Sequence, residues 1–372
     1  MLVQPTTNVA ALIKVVGVGG GGNNAVNTMI NDYAIEGVEF IAVNTDAQVL
    51  KQSRASIKIQ IGQNLTQGLG AGGNPTVGAQ AAQESAEELH DQLDGADMVF
   101  VTGGMGGGTG TGAIPVISGI AKNLGALTVA VVTKPFAFES KPRMEAALDG
   151  ISKLRDQTDA MIVIPNQRIL EIIDRNLPFQ EAMKKVDEIL ANAVLSISNL
   201  VTQTGFINLD FADVKSILKN SGTAMMGIGK GNGENRAEMA AKMAVSSPLL
   251  EMSIEGAKGL LFNIRGGESL SMQEVASAAQ MITEMVDPSA VVKFGASIDP
   301  ELTDEIHLTV LAAGFPDTLS MKSDYNKPVS IATPSRDISE NPTTPPSRKI
   351  EPPTTAEEDD ELEIPAFLRR KN

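Results

Sequence analysis

Apolar runs recur along residues 12–166 and alternate with polar stretches that favour helix. "LIKVVGVG" (12–19), "EFIAVNTD" (39–46), "SIKIQIG" (56–62), "DMVFVTGG" (97–104), "LTVAVVTK" (127–134) and "AMIVIPN" (160–166) read as strands. Several are continuously apolar, the pattern of strands covered on both faces. "NNAVNTMIND" (23–32), 78–93 and 111–124 suit helices between them. This βαβα order predicts an α/β fold with a doubly wound, mainly parallel sheet. Residues 179–202 break the alternation. Met183, Val186, Ile189, Leu190, Ala193, Val194, Ile197, Leu200 and Val201 fall at three- and four-residue steps, which predicts one long amphipathic helix ended near Gly205.

A second region, 208–315, carries helical stretches at 235–245 and 271–285 and strand candidates at 260–266, 290–298 and 305–314. It predicts a smaller α/β or α+β domain. Residues 317–358 are rich in Pro, Ser, Thr and charge, and cannot bury enough apolar surface to offset their ordering entropy, so they read as a disordered tether. "ELEIPAFLRRKN" (361–372) regains Ile364, Phe367 and Leu368 and ends basic. It is either a frayed terminus or a short motif that orders on a partner.

Composition narrows the classes. A chain of 372 residues, 42% apolar, is long enough for two domains. A formal net charge of −15 makes nucleic acid and anionic membrane poor partners for the body of the protein. Cysteine is absent, which removes disulfides, thiolate catalysis and Cys-based zinc sites. The two histidines, His90 and His307, stand apart, so a His metal cluster or a Ser-His pair is not expected. No basic-then-apolar leader opens the sequence, and no apolar run approaches the roughly 20 residues that span a bilayer. A soluble, cytoplasmic protein is expected.

The 35 glycines are clustered. Gly17-Val18-Gly19-Gly20-Gly21-Gly22 contains G-x-G-x-x-G between a strand and a helix, and Asp46 ends the second strand, as in dinucleotide-binding turns. "TGGMGGGTGTGA" (102–113) is a second glycine turn after a later strand, and "GLGAGGNP" (68–75) a third. In a parallel sheet these loops share one edge. Amides near Gly21–Asn24 can then serve one phosphate group and Gly108-Thr109-Gly110 another. Ala71, Gly72 and Gly73 can sense a terminal one. Charge-assisted hydrogen bonds of about 1.5–3 kcal/mol each offset a glycine cost of roughly 0.5–1 kcal/mol per residue. The expectation is that bare backbone serves close approach to phosphate. No G-x-x-x-x-G-K-[ST] occurs, so a Walker lysine is missing.

"GGGTGTG" (106–112), "GVGGGGNNAV" (17–26) and "NLDFADV" (208–214) are highly specific in combination, and "NTDAQ" (44–48), "TKPFAFE" (133–139), "GENRA" (233–237) and "EIPAFLRR" (363–370) agree with them. On these motifs the chain resembles the tubulin/FtsZ GTPase family over residues 12–315 and in the tail motif. The resemblance implies a flexible N-terminus (1–11), a GTP-binding Rossmann-like domain (12–177), a central helix (178–203), a second domain (204–316), a disordered linker (317–360) and a partner-binding peptide (361–372). It implies GTP/GDP as ligand, use of Mg²⁺, and head-to-tail polymerisation of subunits into the division ring of bacterial cytokinesis at mid-cell. Division regulators and membrane tethers would bind 361–372.

By the same resemblance, Gly20, Gly21, Gly22, Asn23 and Asn24 line the first phosphate loop, and Gly104, Gly106, Gly107, Gly108, Thr109 and Gly110 belong to the signature loop, with Thr133 beside it. Glu139 and Arg143 contact ribose and phosphate. Asn166 and Asp187 read guanine, and Met183 stands where the family usually stacks an aromatic ring on the base. Asn208, Asp210 and Asp213 enter the nucleotide site of the next subunit and orient or polarise the attacking water. Ser140 and Pro142 depart from the more usual glycine and basic residue, and Gly103 replaces a small side chain. Read without the resemblance, Asp187 is a solvated helix carboxylate, Asp210 an N-cap and Asp213 a first-turn acid. Two other functions stay open: an NAD-dependent oxidoreductase built on G-x-G-x-x-G and Asp46, and a nucleotide-binding scaffold without hydrolysis. The first leaves 106–112 and 208–213 unexplained.

Overall fold

The computed structural model describes residues 11–33, 37–174, 176–202, 207, 209–248, 250 and 253–315. Strands β1 (Ile13–Val18), β2 (Val38–Asn44), β3 (Ile57–Gln60), β4 (Met98–Gly104), β5 (Leu127–Lys134), β6 (Ala160–Pro165), β7 (Gly222–Asn232), β8 (Gly259–Gly266), β9 (Val291–Ile298) and β10 (Glu305–Ala313) form one sheet, ordered β3-β2-β1-β4-β5-β6-β7-β10-β8-β9. Pairing is parallel from β3 across to β7 and between β8 and β9, while β10 runs antiparallel to both β7 and β8. The helices are α1 (Gly19–Asp32), α2 (Ala47–Gln52), α3 (Gln63–Thr66), α4 (Pro75–Glu84), α5 (Ala86–Leu93), α6 (Thr109–Asn123), α7 (Lys141–Arg155), α8 (Asn166–Ile172), α9 (Phe179–Thr202), α10 (Phe211–Leu218), α11 (Arg236–Val245) and α12 (Met272–Thr283). No helix among the described residues is long and apolar enough to cross a membrane.

The continuous apolar runs have the expected cause. Val15, Phe100, Val129 and Ile162 pack on one face of the sheet with Leu190, Val194 and Ile197 of α9. Their neighbours Val16, Val101 and Ala130 pack on the other face with Ile114 and Ile117 of α6. Alternate residues thus reach opposite faces, and both faces are covered. A third core joins Phe262 and Leu308 of the last strands to Ala240 of α11 and Ile282 of α12.

Three local expectations change. Helix α1 begins at Gly19 rather than residue 23, so the first glycine run is itself a helical turn. The stretch 78–93 is two helices that meet at Ser85, whose hydroxyl accepts from the Gly62 N–H at 3.2 Å. Strand β7 had no apolar signature because glycine occupies one of its faces. A Cβ on Gly227, Gly229 or Gly231 would lie 2.0, 1.9 and 1.9 Å from the carbonyl oxygens of Ala244, Ala240 and Arg236. Helix α11 therefore rests directly on strand backbone, a contact that any larger residue would close.

Arg236 ties α11 to α12. Its Nε donates to Glu274 Oε1 at 2.6 Å and its Nη2 to Ser269 Oγ at 3.0 Å, while Glu274 also completes a capping box with Ser271. These partners pull the Glu274 carboxyl from 4.5 to about 2, the Arg236 hydrogen bond first among them. A depressed carboxylate stabilises the fold above its unfolded pKa, and that contribution is lost as pH falls from about 4.5 toward about 2. Glu274→Gln is expected to lose about 2–3 kcal/mol at pH 7. Urea melts should show the gap to wild type narrowing as the pH is lowered toward 3.

Candidate functional site

The sheet order reverses between β1 and β4, and the crevice beyond the carboxyl ends of these strands is where open α/β sheets bind ligands. A cavity of about 430 Å³ lies there. The head of α1 contributes Gly20, Gly21 and Asn24; the end of β4 and the turn after it contribute Gly104, Gly107 and Gly108; and the head of α6 contributes Thr109 and Gly110. Thr133 comes from β5, Glu139 from the turn that follows it, Arg143 from the first turn of α7, Asn166 from the start of α8, and Met183 and Asp187 from the amino-terminal half of α9. These positions, scattered over 168 residues of sequence, meet because parallel strands deliver their following turns to one edge.

Other expected residues stand behind the wall. Asn23 is buried, donates to the Gly17 carbonyl at 2.8 Å and accepts from Asn44 Nδ2 at 2.9 Å, so its side chain braces the turn. Gly22, Gly106, Ala71, Gly72 and Gly73 do not line the cavity. Ala71 and Gly73 pack against Gly108, where a Cβ would come within 2.8 Å of the Ala71 Cβ. Asn208 lies outside the described residues, as does the 361–372 peptide. Sequence reasoning missed Val18, Gly19, Met105, Pro135, Phe136, Val186 and Leu190 as lining. Val186 and Leu190 were legible in principle, since they share the helix face of Met183 and Asp187.

The glycines divide into two groups. A Cβ on Gly22 would meet the Thr102 carbonyl oxygen at 2.4 Å, one on Gly110 the Gly104 carbonyl oxygen at 2.4 Å, and one on Gly112 the Pro75 carbonyl oxygen at 2.0 Å. Those residues let α1, α6, α4 and the strands touch through backbone. At Gly20 a Cβ would meet nothing within 4 Å, and at Gly107 only the Arg143 side chain at 3.9 Å. Bare backbone thus leaves open space at Gly20 and Gly107, while at Gly22, Gly110 and Gly112 it is required by close chain-on-chain packing.

The two ends of the cavity differ chemically. The glycine turns present backbone N–H groups at helix amino termini, which favour anions. At the other end Asn166 Oδ1 is buried with no hydrogen-bond partner among the described residues. Burial alone pushes the Asp187 carboxyl from 3.8 up to about 7. A buried acceptor without a donor costs about 1–3 kcal/mol, so this end is built for a ligand edge that donates. Glu139 and Arg143 pair at 2.7 Å on the rim, and Glu139 Oε1 also accepts from the Phe136 N–H at 2.9 Å.

Between them Ser140 holds φ +93° and ψ 151°, backbone that only glycine adopts freely, and Lys141 and Pro142 then open α7. Ser140→Gly is expected to relieve strain and raise stability by about 1 kcal/mol net of the glycine's own entropy cost. A melting temperature at or below wild type would contradict this.

Asp46 is not at the cavity. Its carboxylate caps α2, accepting from the Gln48 and Val49 N–H groups at 2.8 and 3.1 Å. That removes the ribose-binding acid on which the oxidoreductase reading depended. Asp210 and Asp213 are also outside the cavity. Asp210 caps α10 by accepting from the Asp213 N–H at 2.7 Å, and Asp213 pairs with Lys293 of β9 at 2.7 Å. The carboxylates on the cavity wall are Glu139 and Asp187. No group of three or more His, Cys, Asp or Glu among the described residues is arranged to hold a metal.

Family models match in two blocks: the GTPase domain of the tubulin/FtsZ family over residues 12–174, and the C-terminal domain of the FtsZ family over 222–316. An empty FtsZ dimer from M. jannaschii is 46% identical, with 83% of this chain and 89% of that chain covered and a TM-score of 0.79. An FtsZ point mutant from the same organism gives 46% identity, 82% and 92% coverage, and a TM-score of 0.79. A CetZ protein from Haloferax volcanii, solved as a GTPγS-bound protofilament, shares the fold at 20% identity, 82% and 93% coverage, and a TM-score of 0.70.

Proposed function

Because the chain belongs to the tubulin/FtsZ family of GTPases, we propose that it binds GTP in the cavity between β1 and β4, hydrolyses it at a site completed by a second copy, and assembles head to tail into filaments. The observation that carries the ligand is Asn166 Oδ1, a buried acceptor with no partner among the described residues, at the same cavity as the Asp187 carboxyl that burial raises. Guanine offers adjacent donors, its ring N–H and exocyclic amine, which one carboxylate accepts together. Adenine presents an acceptor where guanine presents the ring N–H, so Asp187 selects against it. Met183, Val186 and Leu190 supply an apolar bed, with a thioether in place of an aromatic ring. The phosphates meet the amides of Gly20, Gly21, Gly108, Thr109 and Gly110. Arg143, released in part from Glu139, reaches the ribose and phosphate end.

Hydrolysis adds a water oxygen to the terminal phosphorus and breaks its bond to the β–γ bridging oxygen. The products are GDP, phosphate and a proton. The cavity of one subunit is short of a group to orient that water: Asp187 is at the base end, and Glu139 is held by Arg143 and the Phe136 N–H. Asp210 and Asp213, outside the cavity, are the carboxylates we assign to the next subunit's site, together with Asn208 of the same sequence motif. The division into a GTP-binding domain (12–177), central helix (178–203) and second domain (204–316) follows the same reading. So do a cytoplasmic mid-cell division ring and a tail that binds regulators and membrane tethers.

The test is GTPase activity per subunit across a dilution series. It is expected to rise steeply above a threshold concentration, with filaments seen in GTP and not in GDP. A constant specific activity through the same range would overturn the shared site.

A further inference from the structure

The segment that carries Asp210 and Asp213 is fastened to the edge strand β9 at two points. Ile207 and Ala296 exchange backbone hydrogen bonds at 3.3 and 3.2 Å. Three residues earlier on the same strand, Lys293 Nζ meets Asp213 Oδ1 at 2.7 Å. Lys293 and Asp213 are 80 positions apart in sequence, so this contact exists only through the fold. Among the described residues the other charged group acting on Asp213 is Asp210, at the cap of the same helix. Asp210 is engaged with the Asp213 N–H, and Lys215 lies over the Phe211 ring at 5.6 Å. Lys293 is thus the cation that faces Asp213 from a neighbouring element among the described residues.

Two carboxylates brought against a polyphosphate repel it. Any subunit that offers Asp210 and Asp213 to a neighbour's nucleotide must offset that repulsion or lose contact strength. An ammonium fixed on β9 does so without taking a phosphate ligand away, because it remains bonded to the carboxylate it accompanies. It also restricts the rotamers of Asp213, which on an exposed first turn would otherwise be free. We propose that Lys293 is a positioning residue for Asp213, holding its carboxylate in one direction and compensating its charge as it docks against the terminal phosphate of the next subunit. This rests on the shared-site reading above and adds to it a group outside the motif segment.

The ammonium also keeps the Asp213 carboxyl below its ordinary range, through the Lys293 hydrogen bond first, with the Asp210 contacts adding to it. Lys293 is itself raised by the same partner.

Lys293→Met and Lys293→Arg, in the full chain, provide the test. Lys293→Met should bind GTP with wild-type affinity, because it is remote from the cavity. Its threshold concentration for assembly should rise about two- to fivefold at low ionic strength, the scale of an exposed ion pair, and the difference should shrink as salt is added. The acid limb of its GTPase profile should move to higher pH, since Asp213 then titrates without its partner. Lys293→Arg should restore both. In an Asp213→Asn background, Lys293→Met should raise the threshold no further. Wild-type threshold and acid limb in Lys293→Met, or turnover faster than wild type, would overturn the proposal while leaving the shared site standing if Asp213→Asn is inactive. Normal hydrolysis by Asp213→Asn would instead remove the shared-site reading itself.

Discussion

Asp213→Ala is expected to bind GTP and GDP as wild type does and to lose turnover by about 10²–10⁴-fold, the usual contribution of a group that takes up or orients a reacting proton. The substitution is cleaner than Asp210→Ala. The cap of α10 uses the Asp210 side chain and the Asp213 backbone N–H, and alanine at 213 keeps both. Loss of Asp210 would remove the cap itself and cost about 0.5–2 kcal/mol of stability, mixing a folding defect into the kinetics. Equilibrium binding of a fluorescent guanine nucleotide and phosphate release above the assembly threshold are the two measurements. Normal phosphate release by Asp213→Ala would return this residue to the role of a first-turn acid favoured by the helix dipole.

Asp187→Asn is expected to weaken guanine nucleotide by roughly 100- to 1,000-fold, since it replaces a charged double acceptor with an amide that can accept only once toward the same donors. The pH dependence gives a second signature. With the empty-site carboxyl at about 7, binding guanine to the ionised form requires release of a proton below neutrality. Affinity should therefore fall toward tenfold per pH unit below about 7 and level off above it. Stability of the empty protein runs the other way. The folded pKa exceeds the unfolded one, so the folded state holds the extra proton and stability declines as pH rises from about 4 to about 7. Asp187→Asn should remove this decline, making the empty variant more stable than wild type at pH 8. Isothermal titration between pH 5.5 and 8.5 and melting of the empty proteins would check both. A flat affinity profile in wild type would place Asp187 outside the base contact.

Much of this site was legible because its parts follow strands. Once β1, β4, β5 and β6 are read as parallel neighbours, Gly20, Thr109, Glu139 and Asn166 must share an edge, whatever their spacing. Other features were not legible. Asp187 in isolation is one more carboxylate on a helix with a polar face; its significance comes from burial that neighbouring strands impose. The Lys293–Asp213 pair joins distant segments and has no spacing rule. Strand β7 was hidden by glycine, whose small size signals a contact and conceals the strand at once. The signature glycines carry a second constraint that the motif does not announce: at Gly22, Gly110 and Gly112 a side chain would strike neighbouring backbone. The i, i+4 spacing of Glu139 and Arg143 did carry a readable hint of their ion pair.

The joint between β6 and β7 has the shortest register of any strand pair in the sheet, Ala160↔Gly222, Met161↔Thr223 and Ile162↔Ala224. One continuous apolar cluster includes Ile162 of β6, residues of α9, and Leu261 and Leu311 of β8 and β10. Such a joint behaves as a crease. Few directional bonds resist a change of angle across it, while the greasy backing, indifferent to direction, keeps the two flaps from parting.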